Sequence, residues 1–262
     1  MELETIDYEV SDGVAHVRLA RPAGANAVNP QFSSDLRDVM LEIEWDDAVK
    51  AVSVTAEGKI FCAGGDLKEF NEAGAGLPKL TSRMLTDFHG GIYKMNRMPK
   101  PFVAGVNGSA GGAGLSIVSA FDLVVAGESS KFTMAYTRAG VTPDGTSTYF
   151  VARHIGVRRM LDLTLTNRVL SAQEAEAWGL VNRVVPDDEV DTVTAELAQS
   201  LADGPSWALG HAKQIVYAGF DSPLEQAGEL EGVTIAAAMG THDGREGIAA
   251  FVEKRPPNFI GE

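Results

Sequence analysis

Cysteine is nearly absent: Cys62 is the only one in 262 residues. An internal disulfide is therefore excluded, and so is a cysteine metal cage. Cys62 lies in an apolar run and reads as a buried, inert thiol. Histidine is also scarce. His16, His89, His154, His211 and His242 never form H-x-x-x-H, so no helical pair of metal ligands is present. Positive charge is in deficit, with 22 Lys and Arg against 36 Asp and Glu, a net charge of −14 and a pI near 4.8. That balance argues against nucleic acid and anionic membrane surfaces as main partners. It leaves room for a small anionic ligand held by a local basic cluster. No apolar run approaches the roughly 20 residues of a membrane span. The acidic start Met1-Glu2-Leu3-Glu4 lacks the apolar region of a signal peptide. A cytoplasmic protein is the expectation.

Three glycine motifs are also missing. G-x-G-x-x-G fails because Ile117 stands where the last glycine belongs. The phosphate loop fails for want of a lysine, and the serine elbow around Ser109 fails because Asn107 replaces its first glycine.

What is present is a run from Lys100 to Gly114. An apolar strand ends in Asn107-Gly108, small residues follow, and Leu115, Ile117, Val118, Ala120 and Phe121 read as a short buried helix. The first N–H groups of a helix lack internal partners and can hold an oxygen that becomes negative during a reaction. Tight helix-on-strand packing explains the same glycines. A second apolar run, Ile60 to Gly65, also ends in glycine.

The rest of the chain reads as a mixed core followed by helices. Residues 6–10 and 14–19 predict a hairpin, and 51–56 a strand. Asn29-Pro30 opens a helix with Phe32, Leu36, Val39, Met40 and Ile43 on its apolar face. Residues 74–78 predict a mobile loop and 79–97 a helix with Leu80, Met84, Phe88 and Ile92 on one side. Short strands are expected at 123–126 and 131–133, and a last one at 181–185. Ser171 to Glu174 is a capping box, with Gly179 as its stop. Helices are predicted at about 188–201, 206–217, 224–238 and 245–253. Asp66 and Asp144 read most simply as helix N-caps.

The chain resembles the enoyl-CoA hydratase/isomerase (crotonase) superfamily along nearly its whole length. The likeness is carried by Arg21-Pro22 with Asn26-Ala27, Phe61 to Leu67, Lys100 to Gly108, and Gly112-Ala113-Gly114. Asp122, Lys131-Phe132, Ser171 to Ala175, Trp178 to Val181 and Phe251 to Arg255 continue it. The resemblance implies an α/β fold, a spiral of ββα units over residues 1–200. Residues 201–262 would be a C-terminal helical trimerisation region. It also implies an acyl-CoA thioester as substrate, no metal or redox cofactor, and a homotrimer or dimer of trimers. The oxyanion donors would be the N–H groups of Gly65 and Ala113.

The departures from the family pattern carry information too. Hydratases hold two glutamates where this chain has Ser116 and Tyr136, which argues against ordinary hydration. Asp144 remains, and matches the aspartate of isomerase-type members and the nucleophile of 4-chlorobenzoyl-CoA dehalogenase. His89 matches the water-activating histidine of that dehalogenase. Arg21, Ala27, Ala63, Lys68, Tyr136 and Lys254 are substrate-binding positions by resemblance. The expected activity is enoyl-CoA isomerisation with Asp144 as proton shuttle. The alternatives are aryl-CoA dehalogenation, residual hydration, and a non-catalytic acyl-CoA-binding paralogue.

Overall fold

The computed structural model describes residues 2–261. The chain alternates between two sheets. Strands β1 (Ile6–Ser11) and β2 (Val14–Leu19) pair as an antiparallel hairpin and lead to α1 (Pro30–Trp45). Then come β3 (Ala51–Ala56), β4 (Ile60–Cys62), α2 (Leu67–Ala73) and α3 (Leu77–Arg97). The next unit is β5 (Phe102–Val106), β6 (Ser109–Gly111) and α4 (Ala113–Ser119). It is followed by β7 (Leu123–Gly127), β8 (Lys131–Thr133), α5 (Ser147–Ile155) and α6 (Val157–Thr166). After β9 (Val169–Ser171), α7 (Ala172–Trp178) and β10 (Arg183–Val185), the chain is helical: α8 (Val190–Ala202), α9 (Ser206–Asp221), α10 (Leu224–Gly240) and α11 (His242–Glu253).

The larger sheet has the order β1-β2-β3-β5-β7-β10 and the smaller one β4-β6-β8-β9. Each of β3, β5 and β7 runs directly into a strand of the smaller sheet, and helices then carry the chain back. The result is a spiral of ββα units, as expected. Parallel pairing follows, because parallel neighbours need a crossover between them. Strand β5 is buried along its full length, as a central parallel strand must be when both faces are covered.

Local chemistry starts and packs the helices. Asn29 accepts a hydrogen bond from the Phe32 N–H, and Pro30 occupies the first turn of α1. The apolar stripe of α1 faces Met84, Phe88, Ile92 and Met95 of α3. Phe32, Phe61, Phe88, Phe102 and Phe132 are at most 1% exposed, and each such burial contributes roughly 1.5–3 kcal/mol. Helix α9 is held to this core by Lys213, whose ammonium lies 2.9 Å from the Asp122 carboxylate and donates to the Met95 and Lys100 carbonyls. Burial pushes the Lys213 ammonium down and the Asp122 carboxyl up, and their ion pair opposes both shifts.

Some expectations need correction. Residues 74–78 are not a loop: a 3₁₀ turn, Gly74–Gly76, runs straight into α3 with Pro78 in its first turn. Proline is tolerated there because its missing N–H would have had no helical partner. Strand β9 was not anticipated; it pairs antiparallel with β8 at the edge of the smaller sheet. Helix α11 begins at His242, not Arg245, because the Thr241 hydroxyl caps it by accepting from the Gly244 N–H.

Candidate active site

Strands β4 and β6 are parallel neighbours, with Cys62 opposite Ala110. Their C-terminal ends therefore open side by side, one into residues 63–66 and α2, the other into Gly112 and α4. The two turns touch. A Cβ on Gly64 would lie 2.8 Å from the Gly111 carbonyl oxygen and 3.5 Å from the Ala113 nitrogen, and Gly64 has a φ of +108°. A Cβ on Gly114 would lie 2.2 Å from the Cys62 carbonyl oxygen. Glycine is required at both positions by close approach of backbone to backbone.

The hydrogen bonding leaves two donors unused. The Val28 N–H donates to the Gly64 carbonyl at 2.7 Å, and the Asp66 N–H donates to the Val28 carbonyl at 2.9 Å. In this parallel bridge the intervening Gly65 directs its own N–H to the other side. Ala113 is the first residue of α4, where N–H groups lack an intrahelical acceptor. Among the described residues, neither the Gly65 nor the Ala113 N–H donates to another backbone group.

Asp144 is not a helix cap, contrary to the simplest expectation. Helix α5 begins at Ser147 after Thr146, and no side chain caps it. Gly145 and Thr146 both have positive φ, 62° and 60°, which turns the chain between Asp144 and the helix. The Asp144 carboxylate instead meets His89: Nε2 lies 2.9 Å from Oδ1. His89 is set by its neighbour Phe88, which is fully buried and fixes the rotation of α3. Both side chains of the pair remain partly exposed.

Ser116 and Tyr136 hydrogen-bond to each other at 2.8 Å. Both hydroxyls also lie within hydrogen-bond distance of the Asp144 main-chain carbonyl oxygen, at 2.8 Å and 3.1 Å, so their two protons are shared among these three contacts. Burial pushes the Tyr136 phenol above its ordinary range, so it keeps its proton. Burial likewise pushes the Cys62 thiol up to about 12, in keeping with an inert sulfur.

Of the other positions, Arg21, Ala27 and Ala63 gather beside Gly65. The Arg21 guanidinium lies 2.6 Å from the Asp66 carboxylate and donates to the Ala27 carbonyl at 3.0 Å. It is a tie between loops rather than a solvated charge. Asp66 caps α2 by accepting from the Glu69 N–H, as expected. The Ala63 N–H donates to the Ala25 carbonyl. Lys68 is exposed in the first turn of α2, whereas Lys254 terminates α11, a helix that packs on α10. The structure therefore does not join Lys254 to this cluster within one chain. Two neighbours escaped the sequence reading. The Phe70 ring lies where a Cβ on Gly65 would meet it at 2.7 Å, and the Tyr93 ring is 5.9 Å from that of His89. Each is one helical turn beyond a residue already singled out, Asp66 and His89, and that spacing was the available signal.

The Arg21 hydrogen bond holds the Asp66 carboxyl below the usual carboxylate range. A depressed folded value contributes stability above the unfolded pKa of about 3.9, and this is lost as pH falls through the folded value. Arg21→Met should therefore lower the melting temperature at pH 7, and the gap to the native chain should narrow at pH 3. An equal gap at both pH values would contradict the tie.

Among the described residues, no group of three or more His, Cys, Asp or Glu is placed to hold a metal ion. No described helix is long and apolar enough to cross a membrane.

The pattern of the enoyl-CoA hydratase/isomerase family matches residues 9–262. The chain is 33% identical over 261 residues to 1,2-epoxyphenylacetyl-CoA isomerase of Escherichia coli, spanning 99% of this chain and 100% of that protein. It is 34% identical over 250 residues to 4-chlorobenzoyl coenzyme A dehalogenase-2 of an Arthrobacter species, spanning 95% and 91%. The crystal structure of an enoyl-CoA hydratase from Bacillus anthracis superposes with a TM-score of 0.92 at 30% identity, spanning 99% of this chain and 100% of the other. The likeness runs through both sheets and both glycine turns rather than through one motif, and the chain therefore belongs to the enoyl-CoA hydratase/isomerase (crotonase) family of acyl-CoA enzymes.

Proposed function

We propose that the enzyme is an enoyl-CoA isomerase in which Asp144 moves one proton between two carbons of the acyl chain. One observation supports this reading: a single carboxylate stands against His89, while Ser116 and Tyr136, which by the family resemblance stand where hydratases hold glutamates, hydrogen-bond to each other. In the proposed reaction the thioester oxygen accepts from the Gly65 and Ala113 N–H groups. One such donor contributes roughly 3 to 4 kcal/mol in a transition state. The adjacent C–H bond breaks, its electron pair enters the enolate, and Asp144 takes the proton. Asp144 then returns the proton to another carbon as the double bond shifts. His89 donates through Nε2 to the carboxylate and holds it in one orientation. In this reading coenzyme A enters with the substrate, no metal or redox cofactor takes part, and the enzyme works in the cytoplasm.

A second reading rests on the same pair. His89 beside Asp144, together with the likeness to a 4-chlorobenzoyl coenzyme A dehalogenase, suits an aspartate that attacks an aryl carbon. Chloride would leave, and water activated by His89 would cleave the aryl ester. Incubating the enzyme with aliphatic and aromatic CoA thioesters in heavy water tests the first reading. Deuterium should enter the acyl chain of at least one enoyl thioester. Binding without exchange into any thioester and without chloride release from a chloroaryl thioester would instead indicate a non-catalytic acyl-CoA-binding protein.

The reading includes assembly through residues 201–262. Helix α10 buries no side chain, and Leu224, Val233, Ile235 and Met239 are each more than half exposed. A groove of about 570 Å³ between α9 and α10 is lined by Trp207, Ala212, Ile215 and Ile235. Faces of this kind are covered in closed, symmetric oligomers. Light scattering should report a trimer or a dimer of trimers; a monomer at micromolar concentration would contradict this.

A further inference from the structure

We infer that Ser116, Tyr136 and Ser147 form a redundant anchor on the Asp144 main-chain carbonyl that positions the Asp144 carboxylate for proton transfer. This deepens the reading of Asp144 as the proton shuttle and rests on it.

The argument starts from a count of donors. The Asp144 carbonyl oxygen lies within hydrogen-bond distance of Ser116 Oγ at 2.8 Å, Ser147 Oγ at 2.9 Å, Tyr136 Oη at 3.1 Å and the Ser147 N–H at 3.3 Å. A carbonyl oxygen has two lone pairs. Four donors therefore compete for two places. A displaced Tyr136 proton has a second acceptor in Ser116 Oγ at 2.8 Å, and a displaced Ser116 proton has one in the Gly112 carbonyl at 3.2 Å. Losing one hydroxyl leaves the carbonyl satisfied.

Burial gives this arrangement its stiffness. Ser116 and Ser147 are both fully buried. Ser116 sits in the first turn of α4, and its N–H donates to the Gly112 carbonyl. The anchor thus ties the Asp144 backbone to the helix whose first residue, Ala113, offers the candidate oxyanion donor. The carboxylate end is held separately by His89 on α3. Backbone and side chain of Asp144 are located by different elements. Shifting a reacting group by about 1 Å can cost roughly 100-fold in rate. The residues in the hydratase glutamate positions are in this view not idle: they set where the remaining carboxylate stands.

The test uses the full-length enzyme, with 3-hexenoyl-CoA as the isomerisation probe. Ser116→Ala and Tyr136→Phe alone should each lower kcat less than about threefold, since one hydrogen bond among several is lost. The Ser116→Ala/Tyr136→Phe double variant keeps only the Ser147 donors, which lie in the same turn as Asp144 and tie it to no other element; it should lower kcat by roughly 100-fold with KM within about twofold, far beyond the product of the single effects. Amide hydrogen exchange of residues 142–149 in the resting double variant should speed up, with the C-terminal half of α5 unchanged. If that pair does not fold, Ser116→Cys/Tyr136→Phe, which removes the same two hydroxyls but fills the Ser116 site with a weakly donating thiol, should behave in the same way. Native kcat in the double variant, or unchanged exchange in residues 142–149, would overturn the anchor. If Asp144→Asn leaves turnover intact, the proton-shuttle reading falls and with it the catalytic role of the anchor. The exchange result would still report separately on the anchor itself.

Discussion

Asp144→Asn is expected to lose enoyl-CoA isomerisation almost completely, by roughly 100- to 10,000-fold, the range that a positioned acid or base supplies. The amide keeps the size and backbone of Asp144 but cannot take a proton from carbon. Its main-chain carbonyl should still accept from Ser116 and Tyr136, so the fold around α5 should not change. Isotopes separate the two chemistries. A shuttle puts solvent deuterium into the acyl chain with the native enzyme and puts no oxygen from water into the product. A nucleophile forms an aryl ester on Asp144. One turnover in heavy-oxygen water would then leave the first product unlabelled and the label in the protein. His89→Gln separates them again. In the shuttle it removes only an orienting hydrogen bond at 2.9 Å, and turnover should persist at a reduced rate. In the nucleophilic route it should trap the ester, visible as added protein mass with a haloaryl-CoA. A trapped ester would replace the isomerase reading by the dehalogenase one.

Crotonyl-CoA should be hydrated far more slowly than the roughly 10 to 1,000 per second ordinary for enzymes, by about three orders of magnitude or more. Syn-hydration needs one group to remove a proton from water and another to deliver one to carbon. The two positions that would share this work hold Ser116, which is fully buried, and Tyr136, whose phenol burial keeps protonated. Their hydroxyls are engaged with each other and with the Asp144 carbonyl. Neither can act as a base near neutral pH. The proposed oxyanion donors, the Gly65 and Ala113 N–H groups, are unaffected, so crotonyl-CoA should still bind. The measurement is loss of enoyl absorbance with purified enzyme. Turnover in the ordinary range would show that Asp144 and His89 together handle water, and the isomerase assignment would fall.

The sequence by itself determined the elements and the chemistry available to them. The stripe from Phe32 to Ile43 became the buried face of α1, and Asn29, Asp66 and Ser171 became caps. Capping and amphipathic periodicity act over three or four residues, so they can be read locally. The absence of carboxylates at 116 and 136 is likewise a property of the letters alone, and it already argues against hydration. Local reading failed where distant segments compete. Residues 74–78 hold two glycines and a proline and read as a loop, yet the turn they form is absorbed into α3. Asp144 before Gly145 reads as a cap, yet its carboxylate turns to His89, 55 residues earlier. Only the tertiary structure could decide this, because it depends on where α3 lies against the loop after β8. The same holds for the two glycine turns. Each showed that backbone comes close to something, but only the pairing of β4 with β6 makes each the other's neighbour. Strand pairing is set by the summed burial of many side chains far apart in the chain, and no single stretch of sequence contains that sum.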